Sequence, residues 1–329
     1  MRAVVMSGPS DGPDRTSIME IDEPRPGPGE VSIEVAYAGI NFADVMARRG
    51  DAGYGLAWPY IPGHEVCGVV RELGAGVRHL SVGQSVVALP GRGGLAEVVV
   101  APAALTVVLP GGVQAHVAAG TPAATATAWL LLDDVARLRT GERVLVYSAS
   151  GGVGAALAQL IPILGGGPSI GVVGTARQAD VARAHGYDIV LTQHDALAED
   201  IRAAASDGVD VILDPKGTEL LATDLAVVAP GGRIVLFGNA SGRQPAALPP
   251  AGHLLRGNVT ISGFSIGSLS ARAPQRVAEA MRRVLELIAL GELTVPVTVL
   301  DSLAEVPAAQ QLLAEARGQG KYVVRLAGD

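Results

Sequence analysis

"VLVYSASGGVGAALAQ", residues 144–159, is an apolar strand-like run that turns through four small residues into a Gly-Gly-Val-Gly corner and a helical Ala/Leu pattern. Ala149-x-Gly151-x-x-Gly154 is a variant of Gly-x-Gly-x-x-Gly with alanine first. A small first residue permits the turn, the middle glycine lets a pyrophosphate approach the backbone, and the last lets helix and strand pack closely. The helix's free N–H groups and dipole would then face the phosphates. Alone the pattern also suits a merely tight strand–helix contact, so its surroundings decide the reading.

Those surroundings alternate. Strand-like "RVLVYSA", "SIGVVGT", "YDIVLT", "VDVILD", "RIVLFG" and "NVTISGF" are separated by the helix-like "GVGAALAQLIPIL", "RQADVARAHG", "ALAEDIRAAAS" and "TELLATDLAVVA". Strands spaced by roughly 10–15 residues of helix specify βαβ units and a doubly wound parallel sheet. The run "ILGGGPSIG" precedes a strand instead of following one, so it reads as an extended surface loop. Before residue 123, short runs such as "EVSIEVAYAG", "HEVCGVVREL", "QSVVALP" and "LAEVVVAP" are broken by Gly and Pro, the pattern of a β-rich domain. After 266 come two helical patterns and a closing strand, "KYVVRL", which read as a return to that domain. The expected division is therefore 1–122 with 267–329, a β-rich domain, and 123–266, a Rossmann domain.

An NAD site usually carries Asp or Glu about 20 residues beyond the corner, at the end of the second strand, to bind the ribose 2′-OH. That place reads Gly174-Thr175-Ala176-Arg177, and the next carboxylate is Asp180. An Arg where the acid is missing favours a 2′-phosphate, hence NADP(H); a solvated helix start is the alternative for Arg177.

The 329 residues are 49% apolar and 17% charged, with net charge −7, which suits a globular protein with much buried sheet and argues against disorder and nucleic-acid binding. A single cysteine, Cys67, excludes an intramolecular disulfide and any multi-thiolate zinc site. The start, "MRAVVMSGPSDGPD", lacks a sustained apolar stretch, and no run approaches the roughly 18 residues that span a bilayer. The expectation is a soluble, cytoplasmic protein without membrane partners. Lysine is nearly absent, with only Lys216 and Lys321.

Over essentially its whole length the chain resembles the zinc-independent quinone oxidoreductase branch (zeta-crystallin-like) of the medium-chain dehydrogenase/reductases. The carriers are "AGINFADVMARRG" (38–50), "IPGHEVCGVV" (61–70), "TATAW" (125–129), "YSASGGVGAALAQL" (147–160), "VVGTARQADVA" (172–182), "VDVILDPKG" (209–217), "APGGRIVLFGNASG" (229–242) and "RGNVTISGFSIG" (256–267). The resemblance implies a GroES-like domain, a Rossmann domain, a nicotinamide held in the cleft between them, and a homodimer. It implies that Asn41 and Asp44 lie beside nicotinamide and substrate, with helix capping as the alternative role. Thr127 would approach the cofactor. Ser150, Gly151, Gly152, Val153 and Gly154 would hold the pyrophosphate, and Gly174, Thr175 and Arg177 the adenosine side. Phe237, Gly238, Asn239, Phe264 and Ser265 would line the nicotinamide side, and Arg317 and Lys321 would reach toward the cofactor. Family members often hold the 2′-phosphate with a Lys and a Tyr that this chain lacks, leaving Arg177, with Gln178 or His194, to substitute.

His64-Glu65 matches the Gly-His-Glu block of zinc alcohol dehydrogenases, but the usual first cysteine position is Asn41 here and no Cys-rich lobe follows. No metal is expected, and His64 reads as a pocket or structural residue. The implied chemistry is hydride transfer from NADPH to a quinone or α,β-unsaturated carbonyl, with Tyr54, Tyr60 or solvent as proton donor. Two alternatives stand: reduction of an enoyl thioester or polyketide-like enone, and an NADP(H)-binding protein with a non-redox or sensor role.

Overall fold

The computed structural model describes residues 1–51, 57–318 and 320–326, and the chain divides into two compact units, Met1–Ala126 with Ile266–Asp329, and Thr127–Ser265. Tyr54 lies outside the described residues.

In the first unit, β1 (Arg2–Met6) and β2 (Thr16–Glu20) form an antiparallel pair. β3 (Glu30–Ile40), α1 (Phe42–Arg49), β4 (Glu65–Leu73), β5 (Ser85–Ala88), β6 (Val98–Pro102), β7 (Thr106–Val108) and α2 (Ala115–Ala119) follow. The long β3 is the spine. β4 runs antiparallel along one edge, while on the other β6 pairs with Glu30–Glu34. Its sequence sends Val31, Ile33 and Val35 into a core with Val66, Val70, Val86 and Val99. Each such aliphatic side chain contributes about 1.5–3 kcal/mol on full burial.

α3 (Thr125–Leu130), prolonged by a π-helical turn at Leu131–Val135, carries the chain from the first unit into the second. The second unit continues through β8 (Val144–Tyr147), α4 (Gly152–Ile163), β9 (Ser169–Val173), α5 (Ala176–His185), β10 (Ile189–Thr192), α6 (Leu197–Ala204), β11 (Val209–Asp214), α7 (Leu221–Val227), β12 (Val228–Leu236), α8 (Ala251–Gly257) and β13 (Thr260–Gly263). The six strands form one parallel sheet in the order β10-β9-β8-β11-β12-β13. β8 and β9 are buried along their whole length, as strands covered on both faces must be. Winding reverses between β8 and β11, and the crevice at the carboxyl ends of such a pair is where open α/β sheets bind ligands.

The chain then returns to the first unit through α9 (Ile266–Arg272), α10 (Pro274–Ala289), β14 (Val297–Leu300), α11 (Val306–Ala314) and β15 (Lys321–Arg325). β15 pairs antiparallel with Tyr37–Ile40 of β3, on the edge that β6 leaves free. No described helix is long and apolar enough to cross a membrane.

Two local expectations are corrected. The helix expected to run to Ala229 ends at Val227, because Val228 turns extended to pair with Val209. The glycine run 165–167 is a packed turn and not an extended surface loop. Gly166 N donates to Ile161 O, Gly167 N to Glu142 O, and Gly141 N to Gly165 O.

Under the sheet's switch point lies a buried polar group. Tyr147 Oη donates to Asp224 Oδ1 at 2.8 Å, and Asp214, closing β11, accepts from Lys216 N at 2.6 Å. Asp214 and Asp224 are fully buried, and each keeps one carboxyl oxygen without a partner. Burial pushes Asp214 up to about 6 and Asp224 well above the usual carboxylate range. Both folded-state values lie above the unfolded ones, so folding takes up protons and this contribution to stability declines as pH rises. For Asp214 the decline runs from its ordinary 3.8 to about 6. Asp214→Asn should therefore raise stability at pH 8 by about 2–3 kcal/mol, the gain shrinking toward zero near pH 4. Denaturant titrations at the two pH values check this; a gain equal at both would refute it.

Candidate active site

β8 ends at Tyr147, and Ser148 (φ 56°) takes the left-handed conformation that starts the corner. Gly151 N donates to Ser148 O at 3.0 Å, and Gly151 is the N-cap of α4 with no side chain capping the helix. The two outer glycines of the pattern serve different ends. A Cβ on Gly154 would lie 2.5 Å from Ala149 O and 2.7 Å from Ala149 Cα, so this glycine is a packing requirement. A Cβ on Gly151 would meet only Ser148 O, at 3.4 Å, an ordinary contact. No contact within the protein demands glycine there, and the missing side chain leaves the backbone open to a group seated on it. The uncapped N–H groups of Gly152 and Val153 and the helix dipole suit an anion at that place. Ser150 is 5% exposed beneath the corner, and Tyr187 Oη braces it from below by donating to Gly154 O at 2.7 Å. Burial holds His185 below its ordinary range, against the opposing pull of its hydrogen bond with the Ser150 backbone. Neither Tyr187 nor His185 carries a motif, so sequence reading missed both.

At the end of β9, Thr175 is the N-cap of α5 and accepts from Gln178 N, while Gly174 N donates to Gln178 Oε1 at 3.1 Å. Arg177 is exposed and makes no hydrogen bond or ion pair with another described residue, leaving a free cation in the first turn of α5. The other expected 2′-phosphate contact is less free: His194 Nε2 lies 2.7 Å from Asp200 Oδ2, and its Nδ1 accepts from Ala196 N. These features together fit a dinucleotide along the carboxyl ends of β8 and β9. Across the switch point, Phe237 N donates to Asp214 O, and the Asn239 amide is held by Ser241 and Arg243 O. Gly238 and Ser265 are exposed and Phe264 is half-buried, whereas Thr127 in α3 is only 6% exposed.

In the first unit, Asn41 follows β3 and is the N-cap of α1. Asp44 accepts from Asn41 N at 2.8 Å and from Gly63 N at 3.0 Å, and it is fully buried. Burial raises its pKa against the opposing pull of His64, whose Nε2 lies 3.6 Å from Asp44 Oδ1 and has no hydrogen-bond partner among the described residues. With a backbone N–H on each oxygen, the Asp44 carboxylate helps shape the turn. The Asn41 side chain also makes two polar contacts beyond the helix. Its Nδ2 donates to Glu65 Oε1 at 2.9 Å, and its Oδ1 accepts from Lys321 Nζ at 2.6 Å. Lys321, expected to reach a cofactor, is 5% exposed, with its ammonium held by Ile40 O, Asn41 Oδ1 and an ion pair to Glu65. Glu65 Oε2 accepts from Ala123 N at 2.6 Å. The role of Glu65 was missed; a carboxylate inside the apolar run "HEVCGVV" was its signal. Arg317 is exposed and paired with Glu315. Tyr60 is a core residue, 6% exposed in a cluster with Met6 and Ala47. Cys67 is buried, its thiol pushed up to about 12 by desolvation, so it stays protonated at neutral pH. No three His, Cys, Asp or Glu side chains among the described residues gather as a metal-ligand set.

The division of labour at the corner is testable. Gly154→Ala should cost about 1–3 kcal/mol by thermal unfolding through overpacking. Gly151→Ala should leave the unfolding midpoint near that of the parent and weaken dinucleotide binding at least tenfold by fluorescence titration. The reverse pattern would overturn the assignment.

Residues 27–111 match the alcohol dehydrogenase GroES-like domain, and residues 152–289 match the zinc-binding dehydrogenase domain. The chain is 33% identical over 310 residues to a mycocerosic acid synthase-like polyketide synthase of Mycobacterium tuberculosis, covering 92% of this chain but only 14% of that much longer protein. It is 31% identical over 344 residues to the human synaptic vesicle membrane protein VAT-1 homolog-like, covering 98% of this chain and 80% of that one. Among solved structures, mycobacterial Rv1454c complexed with NADPH superimposes with a TM-score of 0.89 at 31% identity over 99% of this chain and 100% of that one. Escherichia coli quinone oxidoreductase complexed with NADPH gives 0.89 at 26% identity, with the same coverage of both chains. The chain belongs to the quinone oxidoreductase branch of the medium-chain dehydrogenase/reductase superfamily.

Proposed function

We propose that this protein is an NADPH-dependent reductase of quinones or α,β-unsaturated carbonyl compounds, acting as a homodimer. The observation that carries the reading is the glycine corner, where Gly151 is required by no contact of the protein itself and Arg177, at the next strand end, has no partner among the described residues. NADPH-bound structures of similar chains support the same cofactor. The corner N–H groups take the pyrophosphate, and Arg177 takes the 2′-phosphate by a charge-assisted contact.

When bound, NADPH supplies a hydride to the β-carbon of the enone or to the quinone ring. The acceptor gains two electrons, its carbonyl becomes an enolate or phenolate, and solvent supplies the proton that completes the reduction. Asn41 donates its second amide hydrogen to the substrate carbonyl, stabilising the oxyanion as it forms. Removing one such donor costs about 10²–10³ in kcat. The dimer reading is supported by β13, whose outer edge has no strand partner among the described residues, and by Leu255 of α8, 77% exposed.

The similarity to a polyketide synthase over 92% of this chain favours a second substrate class, enoyl thioesters. A panel of quinones, enals, enones and enoyl thioesters, followed by loss of dihydronicotinamide absorbance, separates the classes. Tight NADPH binding without turnover on any acceptor would leave a binding protein in place of a reductase. Arg177→Ala should raise KM for NADPH about tenfold and leave KM for NADH within twofold; equal effects on both would remove Arg177 from the 2′-phosphate site.

A further inference from the structure

The Asn41 amide has no freedom to turn over. An ammonium can only donate and a carboxylate can only accept. Lys321 Nζ therefore fixes the side that carries Oδ1, and Glu65 Oε1 fixes the side that carries Nδ2. A flipped amide would set NH₂ against the ammonium and oxygen against the carboxylate. The pair itself is closed off: Glu65 is fully buried, Lys321 is nearly so, and the ammonium's three donors all have acceptors. Two glycines make room for it. A Cβ on Gly39 would run into the Glu65 carboxylate, and one on Gly120 would lie 2.9 Å from Lys321 Cγ.

We propose that Lys321 and Glu65 are positioning residues that lock the polarity of the Asn41 amide, so that its second N–H, and never its oxygen, is presented to the substrate carbonyl. This rests on the reductase reading above, in which Asn41 is the donor. It gives Lys321 a task other than holding the cofactor, since its charge is spent inside the first unit. The pair acts on the orientation of one amide and not on affinity for the dinucleotide.

A double-mutant cycle tests it. Lys321→Met leaves Glu65 unpaired and can unfold the chain, so the neutral pair Glu65→Gln/Lys321→Met, which keeps the side-chain volumes, is measured beside it. The neutral pair should lower kcat at least tenfold with KM for NADPH within twofold. In an Asn41→Ala background the same two substitutions should change kcat less than twofold. An equal loss in both backgrounds, or an unchanged kcat, overturns the proposal. An activity-free arm uses selective ¹⁵N-asparagine labelling, which reports only on Asn41, Asn239 and Asn258. The Asn41 side-chain amide pair should shift and broaden in the neutral variant; an unmoved resonance overturns the orientation lock. If the parent protein reduces no acceptor, the reductase reading fails, and the labelled-amide arm still decides the polarity claim.

Discussion

The contact between Gly154 and Ala149 sets the geometry on which everything in the nucleotide-binding half depends. A helix that starts within a few residues of a strand must pass its first turn against that strand's last backbone atoms, and only a residue without Cβ allows it. Once α4 is seated there, its N-terminus points across the carboxyl end of β8, beside the place where the sheet reverses its winding. The dipole, the uncapped N–H groups and the open space over Gly151 follow from that one close approach.

Much of this was legible in the sequence because the signals are local. Strand, glycine corner and helix lie within sixteen letters, and the alternation that follows specifies a parallel sheet through chain connectivity alone. Gly-Thr-Ala-Arg at the second strand end is equally local, and Arg177 has no partner among the described residues at the start of α5. Helix ends were less legible. The last residues of the helical pattern before β12 were drawn into the sheet by Val209, a partner the sequence window does not contain.

The polar cluster of the first unit shows the opposite case. Asn41 stood out by its motif, but what its amide touches is decided by residues remote in sequence; Lys321 lies 280 positions away. Resemblance placed Lys321 near a ligand, and the fold buries it against Glu65. Asp44 likewise stood out by its motif, and the fold buries it with a backbone N–H on each oxygen. Buried carboxylates at Asp214 and Asp224 gave no sequence signal beyond acids closing or following apolar runs, since their consequence arises from burial alone.

The Glu65–Lys321 pair has a consequence for how the first unit assembles. The strands that carry it, β4 and β15 on either side of β3, come from opposite ends of the chain, and β15 reaches β3 only after the whole nucleotide-binding unit has been made. Sliding β15 by one residue would turn Lys321 to the other face of the sheet and leave Glu65 charged and alone in an apolar interior. Stranding one member of a buried ion pair costs about 3–5 kcal/mol. The two charges thus act as a check on alignment: a one-residue slip of the closing strand is penalised by the charge it strands.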